Sequence, residues 1–190
     1  MINYPNKKKH RERKIVSTAN RGMNFENMIN QTNEFYLNNN IAVIHKKPIP
    51  IQIVKVDYKQ RSAAKIVEAY YKLPSTTDYN GLYKGRYIDF EAKETKNKTS
   101  FPIKNIHEHQ VTHLEQCQNH GGIAFIIIYF SMLDRIFFLD ASYVSKYYKR
   151  SKTSRKSITL KEIESNGYEI TEGYRKPVDY LKVIDEHYIK

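Results

Sequence analysis

Between residues 76 and 95 the chain reads Thr-Thr-Asp-Tyr-Asn-Gly-Leu-Tyr-Lys-Gly-Arg-Tyr-Ile-Asp-Phe-Glu-Ala-Lys-Glu-Thr, and this stretch constrains the fold more than any other. Its second half, Arg86 to Glu94, is an extended run whose side chains alternate between two faces. Ile88, Phe90 and Ala92 point one way, into a core; Tyr87, Asp89, Glu91 and Lys93 share the other face. Upstream stand an acid in a turn, Asp78, the pair Asn80-Gly81, which signals a chain reversal, and a second turn glycine, Gly85. Two carboxylates and an amine on one strand face, beside a turn carrying another carboxylate, can cage a hard divalent cation. Mg²⁺ takes oxygen ligands and keeps several waters, so one or two carboxylates suffice. Alternating acid and base on a strand also describes an ordinary solvated surface, and the Glu-x-Lys triplet alone is common by chance. The apolar opposite face, the upstream acid and the charge of the whole chain favour a site.

That charge is +12, from 32 Lys and Arg against 20 Asp and Glu in 190 residues. Such an excess steers the chain toward a polyanion, nucleic acid before an anionic membrane surface. No apolar stretch approaches the roughly 20 residues needed to span a bilayer, and the N-terminus lacks the apolar core of a secretory signal. The single cysteine, Cys117, excludes an intramolecular disulfide and a multi-cysteine zinc site, and reads as a small buried helix residue. A cytoplasmic protein is expected.

Residues 1–20 form a basic arm, with Lys7, Lys8, Lys9, Arg11, Arg13 and Lys14, expected to be disordered until it contacts nucleic acid. Residues 21–190 read as one domain. An amphipathic helix over 21–39 carries Phe25, Met28, Ile29 and Tyr36 on one side, with Arg21 and Glu26 near its start. Strands are expected at Ile41 to His45 and Ile51 to Val56. Residues 57–75, containing Arg61, Lys65, Tyr70 and Tyr71, look like an insertion projecting from the domain as helix or ribbon. Lys96 to Lys104 reads as a basic loop, and Ile106 to Asn119 as a helix stopped by Gly121-Gly122. His109 and His113 have the spacing of zinc ligands, but no third ligand at suitable spacing accompanies them. Ile123 to Phe130 is a strand buried on both faces, turning into a second strand from Arg135 to Leu139. A helix from Ala141 to Lys149 runs into a second basic stretch, Lys149 to Lys156. Thr159 and Glu162 fit a capping box, and a last helix is expected from Val178 to Tyr188, entered through Pro177.

The order of helix, strands, acid, Glu-x-Lys strand, helix and buried strand is similar to the α/β restriction-endonuclease-like fold, a mixed β-sheet flanked by helices. More specifically, the chain resembles the RecU family of Holliday junction resolvases. The likeness is carried by Asn20-Arg21-Gly22-Met23 with Glu26, by Pro74 to Gly81, and by Ile88 to Thr95. It implies a homodimer that binds four-way junction DNA and nicks two opposing strands symmetrically with Mg²⁺ or Mn²⁺, in recombination and repair alongside RecA and the branch-migration complex. By family pattern Asp78 and Glu91 hold the metal, Lys93 is catalytic, and Asp89 supports the metal directly or through water. Thr76, Glu26 and Gln110 border the site. The 57–75 segment corresponds to a stalk that inserts into the junction, where Tyr70 and Tyr71 are placed to stack on bases. Lys93 is favoured as orienter and electrostatic stabiliser, with general base second. The competing readings are a nuclease acting on ordinary duplex and a non-catalytic DNA-binding modulator of a recombinase.

Overall fold

The computed structural model describes residues 24–58, 60–72 and 76–189. Helix α1 (Phe25–Asn38) starts at Asn24, whose side-chain oxygen accepts the Asn27 N–H at 2.8 Å and so satisfies one orphan donor of the first turn. It buries Phe25, Met28, Ile29 and Tyr36, the residues at helical spacing. Strands β1 (Val43–Lys46), β2 (Ile51–Asp57), β3 (Lys65–Tyr71), β4 (Tyr79–Tyr83) and β5 (Arg86–Thr95) follow. Then come β6 (Ser100–Pro102), α2 (Glu108–Asn119), β7 (Ile123–Phe130), β8 (Arg135–Asp140) and α3 (Ala141–Ser151). The chain continues through β9 (Ser157–Thr159), α4 (Leu160–Asn166), β10 (Tyr168–Ile170) and α5 (Tyr180–His187).

Among the described residues the main sheet has six strands in the order β1-β4-β5-β7-β8-β10. Only β5 and β7 run parallel, joined by the crossover that contains α2; the other pairs are antiparallel. The sheet is therefore mixed and flanked by helices, as expected. Strand β7 is buried on both faces. Ile123, Phe125 and Ile127 enter the core shared with α1 and α5, while Ala124, Ile126, Ile128 and Phe130 enter the core under α2, α3 and α4. On the first face Tyr79, Phe90, Phe125 and Phe138 stack ring on ring across four strands, with centroids 4.8, 4.9 and 4.0 Å apart.

Several local expectations are corrected. Asn80-Gly81 is not a turn but lies within β4; the reversal comes at Lys84 and Gly85, with φ of 46° and 74°, which joins β4 to β5 through two residues. Gly81 has a different task. A Cβ there would stand 2.1 Å from the Val43 carbonyl oxygen and 2.6 Å from Ile44 Cα, so only glycine lets β1 close on β4. Gly81→Ala should destabilise the fold by about 2 kcal/mol or more, the scale of a forced backbone shift, readable in urea unfolding.

The Lys96 to Lys104 segment is not loop throughout, since β6 pairs with β9. Strands β9 and β10 are three residues each, too short to show a period. The last helix begins at Tyr180, later than Pro177 suggests, because the Val178 N–H is held by Thr32 Oγ1 of α1 at 3.1 Å. Helix α2 begins at Glu108, with His107 as its cap. Strands β2 and β3 pair with each other in a separate two-stranded ribbon in which every described side chain is exposed. No helix among the described residues is long and apolar enough to cross a membrane.

Candidate active site

Hairpin geometry brings the acids together. The two-residue turn sets Tyr79 opposite Phe90, so the next residue outward on each side, Asp78 and Glu91, must also face one another. The Asp78 N–H donates to Glu91 Oε2 at 3.1 Å, and the Asp78 carbonyl accepts the Lys47 N–H at 2.7 Å, which pins the entry to β4. Asp78 is exposed, whereas Glu91, flanked by β4 and β7, is fully buried. Lys93, two residues on and on the same face, stands 2.8 Å from Glu91 Oε1 as an ion pair.

That contact is off hydrogen-bonding geometry, and Glu91 Oε1 is a buried acceptor with no hydrogen-bond partner. Burial pushes the Glu91 carboxyl up to about 7; Lys93 opposes the shift and Asp78 adds to it. The Tyr79 phenol is likewise pushed up, first by burial and then by the charges of Glu26, Asp78 and Glu91. A buried carboxylate met at Oε1 by an ammonium but by no well-aligned hydrogen bond, beside an exposed carboxylate, fits a hard divalent cation.

Asp89 is wrapped differently. Its fully buried carboxylate accepts from Lys47 Nζ and Tyr87 O–H, each at 2.8 Å, and from the Thr77 hydroxyl; His113 Nε2 lies 3.1 Å away. Lys47 Nζ also donates to Thr77 Oγ1 at 3.0 Å. These neighbours make Asp89 the hub that ties β1, β4, β5 and α2 together. Sequence reasoning missed Lys47 and Thr77 as parts of the site. A lysine before a proline and a buried threonine beside the acid carry no signal until the sheet is formed.

The other expected residues are placed as follows. Glu26, half-exposed on α1, pairs with Lys46. Thr76 is partly buried and its hydroxyl reaches the Thr77 carbonyl at 3.4 Å. Gln110 is buried at the start of α2 and accepts the His107 N–H at 3.0 Å, which occupies one of the two lone pairs of its oxygen. Lys65, Tyr70 and Tyr71 lie on the ribbon, the two tyrosines 61% and 83% exposed, well positioned for contacts outside the domain. Arg61 opens a short 3-10 turn at its tip. Lys7, Lys8, Lys9, Arg11, Arg13, Lys14 and Arg21 lie outside the described residues. In the second basic stretch Lys149, Arg150 and Lys152 are paired with Glu115, Glu162 and Glu108, leaving less free charge there than the sequence suggests.

A family model described as RecU, recombination protein U, matches residues 20–186. The chain is 52% identical over an alignment of 196 residues to the Holliday junction resolvase RecU of Bacillus cereus (strain G9842), with 98% of each chain covered. The protein of the same name from Bacillus thuringiensis (strain Al Hakam) matches at the same identity and coverage. Among solved structures, that of Hjc, a Holliday junction resolvase from Archaeoglobus fulgidus, is similar with a TM-score of 0.42 and 11% identity, covering 72% of this chain and 90% of that one.

Proposed function

The chain belongs to the RecU family, and from that membership we propose that it is a Holliday junction resolvase, a structure-selective endodeoxyribonuclease of recombination and repair. One observation in the site carries the chemical reading: a fully buried Glu91 that faces exposed Asp78 on one side and ion-pairs with Lys93 on the other. Asp78 and Glu91 would hold the metal, Mg²⁺ or Mn²⁺, with Gln110 contributing through its remaining lone pair. When bound, the cation supplies a more acidic water and polarises the phosphate. Lys93, held by Glu91, directs positive charge at the phosphoryl oxygens, which gain negative charge in the transition state. Burial excludes water from the Glu91 side of the site, so the Glu91 and Lys93 charges act in a lower dielectric than exposed Asp78. The Lys47, Thr77 and Tyr87 contacts keep Asp89 rigid two residues from Glu91, making Asp89 a positioning residue in this reading.

A homodimer suits the task, because two sites related by a two-fold axis meet equivalent phosphates on opposing strands. The ribbon reaches into the junction centre, and the arm supplies phosphate contacts. The protein acts in the cytoplasm with RecA and the branch-migration complex. The test is a mobile four-way junction beside linear duplex of the same sequence, with and without Mg²⁺, with cuts mapped on all four strands. Paired symmetric nicks confined to the junction are expected. Equal cutting of linear duplex would reduce the reading to a general nuclease, and binding without cuts under any divalent ion would favour a non-catalytic modulator.

The ribbon gives a further expected result. Replacing Tyr70 and Tyr71 together by alanine should weaken junction binding by roughly 10- to 100-fold, the worth of one or two stacked bases. Because both rings are exposed, Tm should not move. Unchanged junction affinity would remove the stacking role.

A further inference from the structure

Beside Asp89, and against the oxygen that Lys47 and Tyr87 also reach, α2 presents His113 and Cys117 one turn apart. His113 Nε2 lies 3.1 Å from Asp89 Oδ2, and Cys117 Sγ lies 3.6 Å from the same nitrogen. All three ligand atoms fall within 4.8 Å of one another. Around a tetrahedral zinc ion, oxygen and nitrogen ligands stand about 3.3 Å apart and nitrogen and sulfur about 3.6 Å apart, as follows from the usual bond lengths. Two of the three edges, Asp89 to His113 and His113 to Cys117, are close to those values before any ion is present, and the Asp89 to Cys117 edge lies within 4.8 Å. From this coincidence of geometry and ligand chemistry we propose that Asp89, His113 and Cys117 form a binding site for a borderline-soft transition ion, with Zn²⁺ as its representative.

The donor set selects the ion. A thiolate and an imidazole favour Zn²⁺ or Co²⁺ and give little to Mg²⁺, which wants oxygen ligands and octahedral geometry. The site thus differs in chemistry from the Asp78 and Glu91 pair and shares with the proposed nuclease machinery only Asp89, and its ion binding does not depend on the nuclease reading. On binding, the Cys117 thiol gives its proton to solvent and coordinates as thiolate, and His113 coordinates through Nε2. A water completes the shell, and access is available because the His113 side chain is 20% exposed. Lys47 is the competitor: its ammonium now pairs with the same Asp89 oxygen, and its side chain, 18% exposed, can swing outward when the ion enters.

Spacing alone pointed to His109 with His113. The structure corrects that pairing: the partners of His113 are Cys117, the next residue around the same helix face, and Asp89 from β5, which no sequence spacing reveals.

The test uses the full chain, stripped of metal, and exploits Cys117 being the sole cysteine. One equivalent of Zn²⁺ should slow alkylation of the thiol by iodoacetamide at least tenfold, while millimolar Mg²⁺ should not. Co²⁺ should produce a thiolate-to-cobalt charge-transfer band, which surface histidines cannot give. His113→Gln should weaken Co²⁺ affinity at least tenfold, and Lys47→Gln should tighten it by removing the competing charge. Absence of both the charge-transfer band and thiol protection in the wild-type chain would overturn the site, whatever the variants do. Equal Zn²⁺ protection in His113→Gln and wild type would also overturn it, since Cys117 would then bind without the cluster.

Discussion

Asp78→Ala and Glu91→Ala should each slow Mg²⁺-dependent junction cleavage by roughly 10³-fold or more, the scale on which preorganised charge stabilisation acts, while junction binding survives. The two halves of that expectation have separate physical origins. Cleavage needs the pair of carboxylates that hairpin register places side by side, and losing either leaves the other beside Lys93 without a cation between them. Binding rests on counterion release by the basic residues of a chain of charge +12, and its affinity should fall steeply with added salt. Glu91 is fully buried, so its removal costs no DNA contact. Asp78 is an exposed acid, and removing a negative charge favours a polyanion, so Asp78→Ala should bind as tightly as wild type or tighter. Nicking time courses with Mg²⁺ and gel shifts in chelator separate the two. Wild-type cleavage by either variant would remove that residue from the site.

The second large effect is a dependence on pH. Burial raises Glu91 from 4.5 in the unfolded chain to about 7 in the folded one, so the folded protein holds this proton more tightly. The stability it contributes is fully present below pH 4.5 and is lost as the pH rises through about 7. Across that window the change amounts to roughly 3 kcal/mol. Glu91→Gln has no proton to lose. Without divalent ions, its Tm relative to wild type should therefore climb between pH 5 and pH 8, by up to roughly 10 °C for a chain of this length. Mg²⁺ at pH 8 should reverse the order, because the cation stabilises the folded wild type by binding where the proton sat, and the variant lacks the charge to hold it. Below pH 7 the proton competes with the cation, so Mg²⁺ affinity should rise with pH up to that point. A Tm difference that stays flat from pH 5 to pH 8 would show that Glu91 does not titrate in this window.

Both expectations act on one residue whose two properties came into view at different levels. That Glu91 lies opposite the core from Phe90, with Asp89 and Lys93 on its own face, is a matter of period two and was legible in the residues. That it is buried and holds its proton to about 7 is not, because burial of the second face depends on α2 and on both neighbouring strands. Asn80-Gly81 shows the same limit from the other side. Its composition signals a turn, yet the close approach of β1 requires a glycine in mid-strand, and the true turn falls at Lys84-Gly85. The short strands β6, β9 and β10 were missed for want of a period, and the start of α5 because a hydrogen bond from Val178 to Thr32 holds the preceding chain.

By itself, then, the sequence determined the elements with a sustained period, α1, the two-faced strand β5 and the wholly apolar β7, and the family to which the stretch from 76 to 95 points. Only the tertiary structure decided what surrounds Asp89, bringing Lys47 from the chain leaving β1, Thr77 from the chain entering β4, Tyr87 from β5, and His113 and Cys117 from α2 to one carboxylate. The reason is physical. Periodicity reports which face of an element is buried, whereas partners across a sheet are chosen by strand order and register, which no local spacing encodes.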